Sequence, residues 1–217
     1  MTVMAACFGE FLSDSKAQTN LVTNGGFEIG NVQATGLPGQ YTMATPPGPT
    51  GWTLSAGGSM SGIVADNFTD SNGAHSGNID IAFTATLLDY QTAVRSISQT
   101  ITTTPGTQYT LQFWVANPQG GSDNLFQVNW GGTLLSLTGA NLNSGVVTGG
   151  SGWTLISTTV TATSTSTSLV FSGYNQSAGT LLDDVSVVAV PEPMAASSLV
   201  AGVLGLTIRR RRPRAAA

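Results

Sequence analysis

Apolar and polar residues alternate along most of this chain. The clearest case is Tyr109, Leu111, Phe113 and Val115, which interleave with Thr110, Gln112 and Trp114. A period of two is the mark of a strand with one buried face. The alternation returns in Phe126-Gln127-Val128-Asn129-Trp130, and Gly131-Gly132 then predicts a hairpin turn into a return strand over 134–137. Further strands are predicted over 20–22, from 51 to 54, and over 61–66, 78–83, 94–102, 153–162, 168–174 and 181–188. In the strand over 78–83, Ile79, Ile81 and Phe83 share a face. Residues 31–50, 67–78, 117–124 and 140–152 read as loops rich in Gly, Pro and polar side chains. No helical period of any length occurs before Met194. Many short strands at regular spacing predict an all-β sandwich or jelly roll.

The pattern changes abruptly at residue 190. Val190-Pro191-Glu192-Pro193 cannot extend a strand, because both prolines fix φ and lack an N–H. Fifteen uncharged residues follow (194–208), then Arg209, Arg210, Arg211, Arg212 and Arg214. As a helix the apolar run would be about 22 Å long. That is short for a bilayer core of about 30 Å. Arginines directly after an apolar segment stay on the cytoplasmic side, which places the rest of the chain outside. The chain therefore divides into a leader or leader remnant (1–19), one domain (20–189) and a C-terminal address (190–217). Residues 1–8 are apolar, but no Lys or Arg precedes them. Met1 is expected to lie inside a longer leader, or else to begin a degenerate one.

Charge sharpens this division. Between residues 20 and 189 the only basic side chain is Arg95. It stands against Glu28, Asp66, Asp70, Asp80, Asp89, Asp123, Asp183 and Asp184, so the domain carries −7. Such a surface excludes a nucleic-acid footprint and is repelled by anionic lipid; neutral sugars or a cation suit it better. The only cysteine is Cys7, so no intramolecular disulfide can form.

Three groups of residues are candidates for chemistry. In a regular strand Leu181, Asp183, Val185 and Val187 share one face, and an inward Asp183 is costly unless it is paired or metal-bound. Calcium takes carboxylates together with backbone carbonyls. Glu28 with Asp183 or Asp184 is thus a candidate structural calcium site; the alternative is that these carboxylates cap turns by hydrogen bonding. Trp114 lies out of phase with the apolar face of its strand. With Gln112, Gln127 and Asn129 it would form a sugar platform, an aromatic plane flanked by amides; the alternative is a tryptophan packed under a loop. Trp52, Trp130 and Trp153 read as core. His75, the sole histidine, reads as a solvated loop residue without the partners of a zinc site. No Gly-x-Ser-x-Gly elbow occurs, and Asp66, Asp70, Asp80 and Asp89 read as loop and turn residues.

Two resemblances add to this. Val190-Pro191-Glu192-Pro193, the apolar run and Arg209 to Arg212 resemble the bacterial PEP-CTERM sorting signal. That resemblance implies an exosortase-type processing enzyme as partner, transient inner-membrane anchoring and export to the cell envelope or extracellular matrix of a Gram-negative, exopolysaccharide-making bacterium. It also implies a mature end near residues 191–193. Asn20-Leu21-Val22-Thr23-Asn24-Gly25-Gly26-Phe27-Glu28 opens the domain, and Gly51-Trp52 lies downstream. Ser96-Ile97-Ser98-Gln99-Thr100-Ile101, then Pro105-Gly106-Thr107-Gln108-Tyr109, and a closing Leu182-Asp183-Asp184-Val185-Ser186-Val187 follow. In that order they resemble galactose-binding-like jelly rolls of the choice-of-anchor and carbohydrate-binding-module kind. This implies that the first and last strands lie together, with a structural calcium near them. The reading is an exported, non-catalytic surface or matrix protein with polysaccharide as its ligand. Its rivals are a structural coat protein without ligand and a glycoside hydrolase.

Overall fold

The computed structural model describes residues 18–30, 32–34, 40–43, 48–54, 63–66, 73–83, 94–118, 124–139, 142–143, 146–147, 150–175 and 179–191. These include β1 (Val32–Ala34), β2 (Gln40–Met43), β3 (Thr53–Leu54), β4 (Ile63–Asp66), β5 (Asp80–Phe83), β6 (Arg95–Thr102), β7 (Gln108–Asn117) and β8 (Asn124–Trp130). They continue with β9 (Thr133–Leu134), β10 (Thr138–Gly139), β11 (Leu142–Asn143), β12 (Val146–Val147), β13 (Gly150–Thr161), β14 (Ser166–Asn175) and β15 (Thr180–Ala189).

The strands form two large antiparallel sheets. One runs in the order β1-β2-β4-β5-β15-β7-β13, the other β3-β6-β14-β8-β9; β10-β11-β12 make a small third sheet. The alternation explains the layering. Tyr109, Leu111, Phe113 and Val115 of β7 turn inward, as do Ile97 and Ile101 of β6, Phe126 and Val128 of β8, and Leu169 and Phe171 of β14; all are buried. The sheets meet through rings: Phe113 contacts Phe171 edge-on at 5.2 Å, and Phe83 contacts Phe126 at 5.8 Å. Burial of this apolar area supplies most of the driving force, at roughly 25 cal/mol per Å².

Gly131 and Gly132 turn the β8–β9 hairpin with φ of 57° and 85°, as their spacing predicts, but the return strand is Thr133–Leu134 rather than 134–137. The expected loop over 31–50 instead contains β1 and β2, and that over 140–152 contains β11 and β12. Strands of two to four residues are too short to show a period. Asn117 and Asn124, at the rims of another expected loop, belong to β7 and β8. Both donate to the carbonyl of Val147, while Asn124 accepts its N–H at 2.8 Å, fastening β12 to both sheets.

Residues 20–22 are not a strand, yet they occupy a strand's place beside β15. Leu21 N–H donates to Val187 O (2.8 Å), and the Asn20 side-chain carbonyl accepts from Val187 N–H (2.9 Å). β15 ends at Ala189, and the last ladder bond, Val190 N–H to Gln108 O, is 2.8 Å. The chain then leaves at the exposed Pro191. Glu192, Pro193, the apolar run and Arg209 to Arg212 lie outside the described residues. Among the described residues no helix is long and apolar enough to cross a membrane.

Candidate functional site

The site begins at the Asn24-Gly25-Gly26-Phe27 turn, closed by Phe27 N–H to Asn24 O at 3.1 Å. Asn24 and Phe27 both adopt positive φ (54° and 60°). For phenylalanine this costs about 1 kcal/mol or more. Burial of its ring against Trp52, 5.3 Å away, offsets that cost, and the Trp52 indole N–H donates to Asn24 O at 3.0 Å. The Asn24 side chain also bonds the backbone of Ile29 and Thr50. The turn is thereby locked with Glu28 directed at residues 78 and 79.

The other carboxylates come from an irregularity in β15. Asp183 stands opposite Trp114 of β7, but Ser186 stands opposite Gln112, so Asp184 and Val185 together face one residue. Asp184 takes the bulge with φ 48°. This overturns the regular phase expected for Leu181, Asp183, Val185 and Val187. Leu181 and Asp183 face the outside of the seven-stranded sheet. Val185 and Val187 face the core between the sheets. The bulge therefore spares Asp183 the apolar interior.

All three carboxylates converge on one loop, residues 75–79. Glu28 Oε1 accepts the N–H groups of Asn78 (2.7 Å) and Ile79 (2.8 Å). Asp183 accepts Ser76 N–H (3.1 Å) and Asp184 N–H (2.7 Å). Asp184 accepts the Ser76 hydroxyl (2.7 Å), and its other oxygen lies 2.6 Å from His75 Nδ1. Asp183 is wholly buried. Burial pushes its carboxyl up to about 7, aided by the negative Asp184 and Glu28 and opposed by the Ser76 and Asp184 N–H groups.

His75 is not the solvated residue the sequence suggests. Its ring stacks on Trp114 (3.8 Å between centroids, 18° between planes) and meets Trp153 edge-on at 5.8 Å. Trp153 is half-buried on the outer face, not in the main core, and its indole N–H donates to Gly73 O at 3.1 Å. The loop is thus held at Gly73, His75, Ser76 and residues 78–79. Nothing in the spacing of His75 or Trp153 announces this; the sheet register brings them together.

Of the expected sugar platform, the structure keeps half. Trp114 and Gln112 lie on the outer face of β7, with Gln112 Nε2 donating to Ser157 Oγ of β13 at 3.2 Å. Gln127 and Asn129 belong to β8 and pair with Ser172 and Val170 of β14 in the other sheet. Both pairs are out of phase with the core, but on opposite sides of the sandwich. The Trp114 ring also has one face covered by His75, the packed-under-a-loop alternative.

Among the described residues no three His, Cys, Asp or Glu side chains are grouped to hold a metal. The carboxylate oxygens that face the loop are already satisfied by N–H and O–H donors, so the arrangement as it stands fits hydrogen bonding better than a calcium cage. The Ser76 hydroxyl is engaged with Asp184 rather than with the imidazole, so it is not placed as a nucleophile on His75.

No family model and no curated protein sequence matches the chain. Solved structures do resemble it. TmCBM61 in complex with β-1,4-galactotriose matches with TM-score 0.47 and 16% identity over 79% of this chain and 99% of that one. The CBM22-1 xylan-binding domain from Paenibacillus barcinonensis Xyn10C matches with TM-score 0.42 and 14% identity over 76% and 97%. The enzymatically active domain of bacteriophage CBA120 tailspike protein 4 matches with TM-score 0.48 and 16% identity over 79% of this chain, which spans only 21% of the tailspike chain. These are likenesses in the course of the chain: an all-β, two-sheet antiparallel sandwich similar to carbohydrate-binding-module jelly rolls.

Proposed function

We propose that residues 20–189 form an exported, non-catalytic module that binds a neutral polysaccharide along the outer face of β15, β7 and β13. The observation that carries this reading is the make-up of that face. Thr110, Gln112, Ser157, Thr159 and Ser186 present hydroxyls and amides in register across three strands. Leu155, 43% exposed, and the Trp114–His75–Trp153 group lie at one end. Amides and hydroxyls match sugar hydroxyls, and apolar planes match the C–H faces of sugar rings. In this reading residues 190–217 deliver the domain through an exosortase-type enzyme and are removed. One observation favours the structural coat instead: His75 covers a face of Trp114, as it would in a ring group that only secures a loop.

The test is affinity electrophoresis of the exported protein in neutral polysaccharide gels, including the producing cell's own polymer. Retardation is expected, and Gln112→Ala and Trp114→Ala should each weaken it, Trp114→Ala by roughly tenfold. Intact mass should show a C-terminus near residues 191–193. No retardation in any polymer would leave the coat reading standing, and a mass that retains Arg209 to Arg214 would overturn removal of the tail. Calcium on Glu28 with Asp183 or Asp184 remains a separate proposal, against which the hydrogen bonds weigh. On that proposal the melting midpoint is higher in calcium than in chelator, and coinciding midpoints would overturn it.

A further inference from the structure

The two large sheets end in very unequal strands. Among the described residues β3 and β9 have two residues each and β1 has three, whereas β13 has twelve. Short edges are the usual protection against strand addition; a long one normally carries a charge, a proline or a covering element. β13 has neither charge nor proline. Charge is in fact missing from the whole run 124–182, which contains β8 to β14, so the −7 of the domain lies elsewhere in the sequence.

The hydrogen-bond phase shows which groups of β13 point outward. Ala162 donates its N–H to Thr107 O and accepts from Gly106 N–H, so both its polar groups face the β7 side. In an antiparallel ladder the direction alternates residue by residue. Residues 154, 156, 158 and 160 therefore bond β7, and Leu155, Ser157, Thr159 and Thr161 direct N–H and C=O away from it. At the far end the Trp130 indole N–H donates to Thr161 O at 3.0 Å. Among the described residues no strand hydrogen-bonds the far side of β13, although β10 approaches it and the β8–β9 hairpin lies across a cavity from Thr159 to Thr161.

We infer that β13 pairs with β13 of a second copy, antiparallel about Ser157, joining two seven-stranded sheets into one. The strand is complementary to itself in this register. Ser157 faces Ser157, Leu155 faces Thr159 in both directions, and about six inter-chain N–H···O bonds form from these three residues of each copy. The exposed Leu155 side chain gains the Thr159 methyl as a cross-strand neighbour. No charge on either strand opposes the approach. The two outer faces become one surface, with each copy's Leu155 near the two-fold axis. The pairing stands on the edge alone and does not depend on polysaccharide binding.

Sedimentation velocity of the full chain across a concentration series tests it, with Ser157→Lys as the variant. Ser157 is exposed on the outer face, so the fold is expected to persist, with unchanged near-ultraviolet dichroism. Two lysines directly opposite one another should weaken association by about tenfold or more. Amide exchange by NMR supplies the second readout: the Leu155, Ser157 and Thr159 amides should be slow in the dimer and fast in the folded variant. A monomer at every soluble concentration, a dimer that survives Ser157→Lys, or fast exchange at those amides in the dimer would each overturn the pairing.

Discussion

Gly25→Ala is expected to prevent folding, or to remove about 4 kcal/mol or more of stability. A Cβ on Gly25 would stand 2.0 Å from Val185 O and 3.0 Å from its carbonyl carbon. Both obstacles are backbone, and neither can retreat. Val185 belongs to the bulge that positions the Asp183 and Asp184 carboxylates, and its own N–H donates to Gly25 O at 3.0 Å. Relief would have to open the contact between the first turn and the last strand. Gly106→Ala is the control. Its φ of 82° strains an alanine, but the new methyl meets nothing within 4 Å, so a loss of about 1 kcal/mol is expected. Urea unfolding of the two variants separates the effects. A Gly25→Ala protein as stable as Gly106→Ala would show that the close approach is not a constraint.

Stability should also fall as pH rises from about 4 to about 7, and then level off. The carboxyl of Asp183 titrates near 7 in the folded protein against 3.8 for an ordinary aspartate. Between those values the folded chain holds a proton that the unfolded chain has released, so raising the pH favours unfolding. About three pH units correspond to no more than about 4 kcal/mol from this one group. Melting midpoints between pH 5 and pH 8 measure the slope, and Asp183→Asn should flatten it. The amide costs something of its own: its NH2 must face either Ser76 N–H or Asp184 N–H, so the variant should be the less stable at pH 5. A slope of equal size in Asp183→Asn would assign the titration to other groups.

Much of the sandwich was legible because long strands carry a period. Tyr109 to Val115 and Phe126 to Trp130 alternate, and each inward residue found the core. The adjacency of the first turn and last strand followed from a resemblance of motifs, and the Leu21–Val187 and Gly25–Val185 contacts have that geometry. What the alternation conceals is register between strands. It shows that Trp114 and Gln127 both point outward, but not that they do so from different sheets. Nor does it show the bulge at Asp184, because Leu-Asp-Asp-Val reads as an unbroken strand until its partner on β7 is known. The role of His75 was hidden for a similar reason. Its partners Asp184, Trp114 and Trp153 lie far away in sequence, and a lone histidine among Ser, Gly and Asn carries no period.

The place of β15 has a consequence for the order of events during synthesis. It is the last strand of the domain, yet it sits inside the seven-stranded sheet between β5 and β7. Until residues 180–189 have emerged, β5 and β7 have no common neighbour, the turn at residues 24–27 has no strand to rest on, and the loop at 75–79 lacks two of its three carboxylates. A nascent chain lacking its final strand thus cannot join the β1-β2-β4-β5 part of the sheet to the β7-β13 part. Such late, long-range closure is slow. Were the domain, exported as proposed above, to cross unfolded, its own topology would defer completion of the sheet to the far side of the membrane.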